Sequence, residues 1–338
     1  MDTGDQRPSA ALLDLVNGFR VSQAINVVAT LGIADLLKNG PRSSDDLAAA
    51  TGTHADTLYR LLRALASVGV FREEADRRFM LTSLGECLRS DAVEPVGPYA
   101  VHIGEPRLWQ AWGHLLESVR TGENTFRLVH GVDAWEYRRR NPEAGAIFDR
   151  AMTGQSRLQA NAVLKVYDFE RFRCVVDVGG GHGLLLSAIL AKHRALRGVL
   201  FDQPHVVSGA EPALQAAGIA DRCQVVGGDF FEAVPGGGDA YVLKFILHDW
   251  EDAHATVILQ CCRRSIAPTG RLLVIDAEIA PPNEGSRSKF LDLSMLVQYG
   301  ARERTREEWA ALFAASGFQL IAATPTEAGL SVIEGIPA

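Results

Sequence analysis

The stretch Cys174-Val-Val-Asp-Val-Gly-Gly-Gly-His-Gly-Leu-Leu-Leu-Ser187 constrains the fold more than any other part of the chain. Its apolar run ending in Asp177 reads as a buried strand. Gly179, Gly180, Gly181 and Gly183 then let the backbone turn sharply, and Leu184 opens a helix. Glycine has no Cβ to block a close approach and tolerates φ > 0. Such a turn suits a nucleotide-type ligand at the carboxyl end of the first strand of a doubly wound sheet. A dinucleotide fingerprint reads G-x-G-x-x-G, with the third glycine where helix meets strand. Here Leu184 stands in that place and the spacing is G-x-G-x-G.

From Cys174 onward, strands and helices alternate. Strands are expected at Cys174–Val178, Gly198–Phe201, Cys223–Gly227, Ala240–Lys244, Arg271–Ala277 and Leu330–Glu334, with helices around Leu184–Lys192, His205–Ala217, Ala253–Ala267 and Arg306–Ser316. This alternation implies an α/β fold with a mostly parallel sheet and right-handed crossovers. Residues 1–100 read differently. Apolar positions at helical spacing run from Leu12 to Leu37 with a break near Gly32. Ser43 to Asp46 offer caps for a following helix, and His54–Val68 is a strongly amphipathic one. Val70-Phe71 and Phe79–Thr82 then form a hairpin, and helix, turn, helix and hairpin make a winged helix. Residues 101–165 continue mostly helical and aromatic-rich, and 166–338 form the α/β domain. In Arg138-Arg-Arg140, just before Asn141-Pro142, we expect a solvated helix end.

Bulk properties exclude several function classes. Residues 1–100 carry 10 Lys and Arg against 13 Asp and Glu, so the winged helix, with its Arg60 and Arg63, lacks the charge that supplies most DNA affinity. The net charge of −7 gives no basic footprint for nucleic acid or anionic membrane. No apolar run spans a bilayer and no signal-peptide core precedes residue 20, so we expect a cytoplasmic protein without a membrane partner. The five cysteines lack C-x-x-C spacing and read as reduced thiols.

Chemistry concentrates at the strand ends. Asp177 closes the first strand and Asp202 the second, about twenty residues past Gly181, where a carboxylate accepts from ribose hydroxyls. Asp229 closes the third, with Phe230 placed against an adenine face. One such Asp is often a helix cap, but three in register behind a glycine loop point to a nucleoside. The G-x-G-x-G spacing suits S-adenosylmethionine, which has no pyrophosphate to cradle. The fourth strand runs into Leu243-Lys-Phe-Ile-Leu-His-Asp-Trp250, which puts His248, flanked by Asp249, at the same edge. A neutral histidine there can take a proton from a phenol. A carboxylate on its far ring nitrogen would fix the tautomer, and Asp276 and Glu303 are available. No His, Cys or Asp cluster has local ligand spacing, so we expect no metal.

Six segments together resemble the small-molecule O-methyltransferases that include plant caffeic acid enzymes and bacterial polyketide and phenazine tailoring enzymes. They are Leu58–Leu65, Asp177–Gly183, Leu200–Val206, Gly228–Phe231, Leu247–Trp250 and Arg302–Thr305, in order along nearly the whole chain. The resemblance implies a Rossmann-like S-adenosylmethionine-dependent methyltransferase domain with an N-terminal α-helical winged-helix dimerisation domain, working as an intertwined homodimer. It implies that Asp177, Gly179, Gly181, Asp202, Asp229, Phe230 and Lys244 hold the cofactor, released as S-adenosylhomocysteine. His248 would be the general base, oriented by Asp276 and Glu303. The family more often has Glu at position 276, and the shorter Asp276 puts its hydrogen bond to His248 in doubt. Phe148, Met152, Asp249, Met295 and Tyr299 would line the pocket of a small aromatic acceptor.

The expected activity is methyl transfer to a hydroxyl of an aromatic or polyketide-like molecule. Rivals on the same fold are N- or C-methyltransferases and repurposed decarboxylases, hydroxylases or cyclases. From another class, a transcriptional regulator that senses S-adenosylmethionine would need a DNA-binding surface on residues 1–100.

Overall fold

A computed structural model describes residues 7–338. They pack as two units, the described residues through Trp109 with Arg138–Gln155, and Gln110–Tyr137 with Ser156–Ala338. The segment 101–165, expected as a separate helical stretch, is divided between them.

In the first unit, helix Pro8–Thr30 starts on a proline and stops ahead of Gly32, whose φ of 64° lies in the left-handed region. The Ser43 side chain caps helix Ser44–Thr51 by accepting from Asp46 N at 3.1 Å. His54 caps the amphipathic helix Ala55–Ser67, which buries Leu58, Leu62 and Leu65 at helical spacing. Strand β1 (Arg42–Ser43) pairs with β3 (Arg78–Leu81), and β3 with β2 (Phe71–Glu74), all antiparallel. Phe71 and Phe79 close the core over Leu47 and Leu62. The opening helix buries Val28, while Leu12, Leu13, Leu15, Val16 and Phe19 stay exposed. Arg138 departs from expectation. It is buried, with its guanidinium carbon 3.7 Å from the centre of the Phe148 ring, and only Arg139 and Arg140 are exposed. A cation held over an aromatic face offsets part of the lost hydration.

The second unit is built on β4 (Cys174–Val178), β5 (Arg197–Asp202), β6 (Cys223–Gly227), β7 (Ala240–Lys244), β8 (Arg271–Asp276), β9 (Phe318–Pro325) and β10 (Ser331–Pro337). Their order is β6-β5-β4-β7-β8-β10-β9, parallel through β8 and antiparallel at β10 and β9. Both faces are covered. Leu186, Leu190 and Leu200 pack in one cluster, and Ile258, Trp309 and Phe313 in the other. Burial on both sides explains the near-continuous apolar runs of the central strands. The chain turns from the β5 side of β4 to the β7 side, which opens a crevice at the carboxyl ends of these strands.

Three elements differ from expectation. The stretch 205–217 is two short helices, Pro204–Val207 and Glu211–Ala216. Strand β9 and helix Ser286–Tyr299 were not anticipated. Among the described residues, no helix is long and apolar enough to cross a membrane.

Candidate active site

The glycine turn lies in the crevice as a nearly bare backbone. Gly179, Gly181 and Gly183 have φ of 71°, 59° and 77°. A Cβ on Gly181 would meet nothing within 4 Å, so the space beside it is open to a ligand. Gly180 serves packing instead, since a Cβ there would lie 2.5 Å from Leu200 and 2.7 Å from Asp177. A Cβ on Gly179 would sit 2.4 Å from Ile246 and 3.7 Å from the Phe230 ring, so that ring borders the turn.

The three strand-end aspartates have different surroundings. Asp202 Oδ2 accepts from Gly181 N at 2.8 Å and Oδ1 from Gln203 N at 2.7 Å, which anchors the glycine turn to β5. Asp229 is exposed, and its Oδ1 accepts from Phe231 N at 2.8 Å. Asp177 is buried, and burial pushes its carboxyl up to about 7 against the attraction of Lys244. Burial likewise brings the Lys244 ammonium down to about 8, opposed by Asp177 and Asp276. Lys244 Nζ donates to Ser156 Oγ at 3.1 Å and Gln159 Oε1 at 3.2 Å. The open turn, the bordering aromatic ring and the carboxylate on β5 fit a nucleoside with an attached cationic chain.

After β7 the backbone bends through Phe245, a non-glycine residue at φ 54°. The bend stacks the Phe245 ring on the His248 imidazole, with centroids 4.8 Å apart and planes 19° from parallel. His248 Nδ1 lies 2.7 Å from Glu303 Oε1, a short hydrogen bond between buried groups. Nε2 lies 3.5 Å from Asp249 Oδ1. Asp276 Oδ1 stands 3.8 Å from Nδ1, beyond a hydrogen bond. The expected pair of orienting carboxylates is thus one hydrogen-bonded partner, Glu303, and one near neighbour, Asp276. Burial disfavours the imidazolium, but Glu303, Asp249 and Asp276 outweigh it and raise the His248 pKa above its ordinary value. Asp276 is driven the other way from an ordinary carboxylate. Burial raises its pKa, and the attraction of His248 only partly opposes this.

A residue without an assigned role in the sequence holds this geometry. Arg304 is wholly buried. Its guanidinium donates to Leu247 O at 2.9 Å, Trp250 O at 2.9 Å and Asp252 Oδ1 at 2.8 and 2.9 Å. Adjacent residues therefore grip the same turn, Glu303 through the imidazole and Arg304 through the backbone on either side. Glu303 N donates to Asp292 Oδ1 at 2.9 Å, and Ile279 N to Arg304 O at 3.0 Å, which ties the grip to the end of β8. Arg302-Glu-Arg304 looks like a surface charge run, and nothing local signals that its middle and last members are buried. Ser156 and Gln159, the partners of Lys244, were equally unmarked, being ordinary polar positions on a long helix.

The residues expected to line the acceptor pocket are distributed over both units, each described by itself. Phe148 and Met152 belong to the first, both half-buried on helix Pro142–Val166, with His102 5.5 Å from the Phe148 ring. In the second, Met295 is buried, and Tyr299 lies 5.3 Å from Trp135 at an interplanar angle of 33°. Asp249 is half-buried beside His248.

Known proteins resemble this chain in sequence and fold. The family model of an O-methyltransferase domain matches residues 112–319, and that of the O-methyltransferase dimerisation domain matches residues 13–91. The chain is 44% identical over 329 residues to phenazine O-methyltransferase PhzM of Lysobacter antibioticus, covering 97% of this chain and 96% of that one. It superposes on a crystal structure of LaPhzM with a TM-score of 0.92 at 44% identity, covering 98% of this chain and 100% of that one. It also matches CalO1, a methyltransferase in calicheamicin biosynthesis solved with S-adenosylhomocysteine bound, with a TM-score of 0.88 at 36% identity over 99% of this chain and 100% of that one. The protein belongs to the S-adenosylmethionine-dependent O-methyltransferase family, with the dimerisation domain of that family at its N-terminal end.

Proposed function

We propose that the protein methylates a phenolic hydroxyl of an aromatic small molecule of the phenazine or polyketide kind, with His248 as general base. The observation that carries this reading is the 2.7 Å contact between His248 Nδ1 and Glu303 Oε1 at the ligand-binding edge of the sheet. With its Nδ1 proton donated to Glu303, a neutral ring keeps the Nε2 lone pair for the acceptor. S-adenosylmethionine, when bound, supplies a methyl group activated by its sulfonium. Gly179, Gly181, Asp202, Asp229 and Phe230 would hold it, with Asp177 and Lys244 at the ends of β4 and β7. His248 takes the hydroxyl proton onto Nε2 as the oxygen becomes nucleophilic, and Glu303 stabilises the resulting imidazolium. Alignment contributes alongside, because a fixed geometry removes entropy from a two-body step.

Asp249, Met295 and Tyr299 of the second unit are assigned to the acceptor. Turnover as proposed uses no metal, and the partners are the acceptor and a second copy of the chain in the cytoplasm, without nucleic acid or membrane. The exposed apolar stripe on helix Pro8–Thr30 supports the homodimer, and the hairpin beside it supports a winged-helix module. A mass screen of phenolic and quinone acceptors with methyl-labelled cofactor tests the reading. We expect a labelled, base-stable ether product. Label appearing only on nitrogen or carbon would contradict it.

A further inference from the structure

The sequence keeps His248, Asp276 and Glu303 far apart, yet the fold brings one ligand atom of each within 4.8 Å of the others. All three side chains are at least nine-tenths buried. Neither oxygen of Asp276 has a hydrogen-bond partner among the described residues, nor has Glu303 Oε2. Unpartnered carboxylate oxygens in a dry interior are costly, and a cation is one of the few groups that satisfies them.

We propose that these residues form a latent site for a divalent transition metal, zinc above all, whose occupancy switches off the base. Zinc takes nitrogen and carboxylate ligands at about 2.0–2.2 Å, so tetrahedral ligands stand roughly 3.3–3.5 Å apart. The observed separations from Nδ1, 2.7 Å to Glu303 Oε1 and 3.8 Å to Asp276 Oδ1, bracket that range. Once the metal displaces the proton that burial favours on Asp276, two carboxylates and one neutral imidazole balance a dipositive ion. Magnesium is a poor fit, since it demands six oxygen ligands and keeps several waters.

The consequence for catalysis follows from the ring's single proton. In the base-ready form it lies on Nδ1 and the lone pair on Nε2. A metal on Nδ1 occupies the position the proton held there, so the ring's one proton sits on Nε2, which then donates instead of accepting. The imidazolium that prevails at neutral pH releases one proton to solvent on binding the metal, the neutral ring releases none, and in both cases the base is gone. This inference rests on the assignment of His248 as the base.

Cobalt titration tests the site without reference to turnover. Metal-free protein given one equivalent of Co2+ should develop the visible absorption of a low-coordinate nitrogen–oxygen site, without the near-ultraviolet thiolate band of cysteine ligation. The isosteric variant Asp276→Asn and, separately, His248→Ala should each lose that absorption while retaining the native circular dichroism. A silent spectrum, or one that survives both substitutions, overturns the site and leaves the assignment of the base untouched. Zinc should also stop methyl transfer, with recovery on adding EDTA. Full turnover with the site filled would overturn the switch and count against His248 as the base.

Discussion

At the residue scale, the proposed mechanism makes activity depend on the protonation of His248. Three carboxylates hold its pKa above the ordinary value, so the neutral ring is the minority form at neutral pH and grows as pH rises. Turnover should therefore climb with pH through an inflection above that of free imidazole. Glu303→Gln removes the nearest of these negative charges, which should move the inflection to lower pH. It should also cut the plateau about 10²–10⁴-fold, because the amide can donate to Nδ1 and favour the wrong tautomer. A pH–rate profile of both proteins checks this, and an inflection unmoved by the substitution would contradict it. The position of His248 just past the end of β7 was legible in the sequence, because the apolar run of that strand marks where it stops. The failure of Asp276 to reach it was half-legible. A side chain one methylene shorter than the usual Glu stops 3.8 Å away, but which way the backbone compensates is a tertiary fact.

At the scale of elements, the central strands were legible because a parallel sheet covered on both faces writes itself as apolar runs of five or six residues. Strand β9 was not, since it is an edge strand with only Phe318 buried. Helix Ser286–Tyr299 hid for a related reason. It opens after Gly285 with Ser-Arg-Ser-Lys, and its buried positions, Ser288, Met295, Val297 and Gln298, make no apolar stripe. Its placement matters because Asp292 holds the backbone of Glu303. The Arg304 grip is likewise a contact between elements far apart in the chain. Arg304→Lys keeps the charge but cannot reach both carbonyls and Asp252 with one ammonium. We expect it to lower turnover at least tenfold with cofactor affinity unchanged, and to reduce stability by about 1–3 kcal/mol through carbonyls left unpaired. Calorimetry with S-adenosylhomocysteine, single-turnover rates and urea denaturation read the three effects. A variant with native turnover would remove Arg304 as a positioning residue.

At the scale of the whole molecule, an apolar helix face and a dimerisation-domain match point to one assembly. Leu12, Leu15, Val16 and Phe19 recur at helical spacing, and leaving such a stripe in water is unfavourable at roughly 25 cal/mol per Å². Leu15→Asp combined with Phe19→Asp should shift sedimentation from a dimer to a monomer and make thermal stability independent of protein concentration. An unchanged sedimentation coefficient would place the interface elsewhere. The change in texture at Cys174 marked where the alternating strands and helices begin, but the way residues 101–165 divide between the units was not visible, because helical periodicity says nothing about which neighbour a helix joins. The most direct measurement of the account is the single-turnover rate of methyl transfer by the native enzyme and by His248→Ala, each saturated with methyl-labelled S-adenosylmethionine and the acceptor found in the screen. Cofactor binding should be equal in the two, and the variant should transfer at least about a hundredfold more slowly. Equal rates would contradict a mechanism in which an imidazole takes the proton.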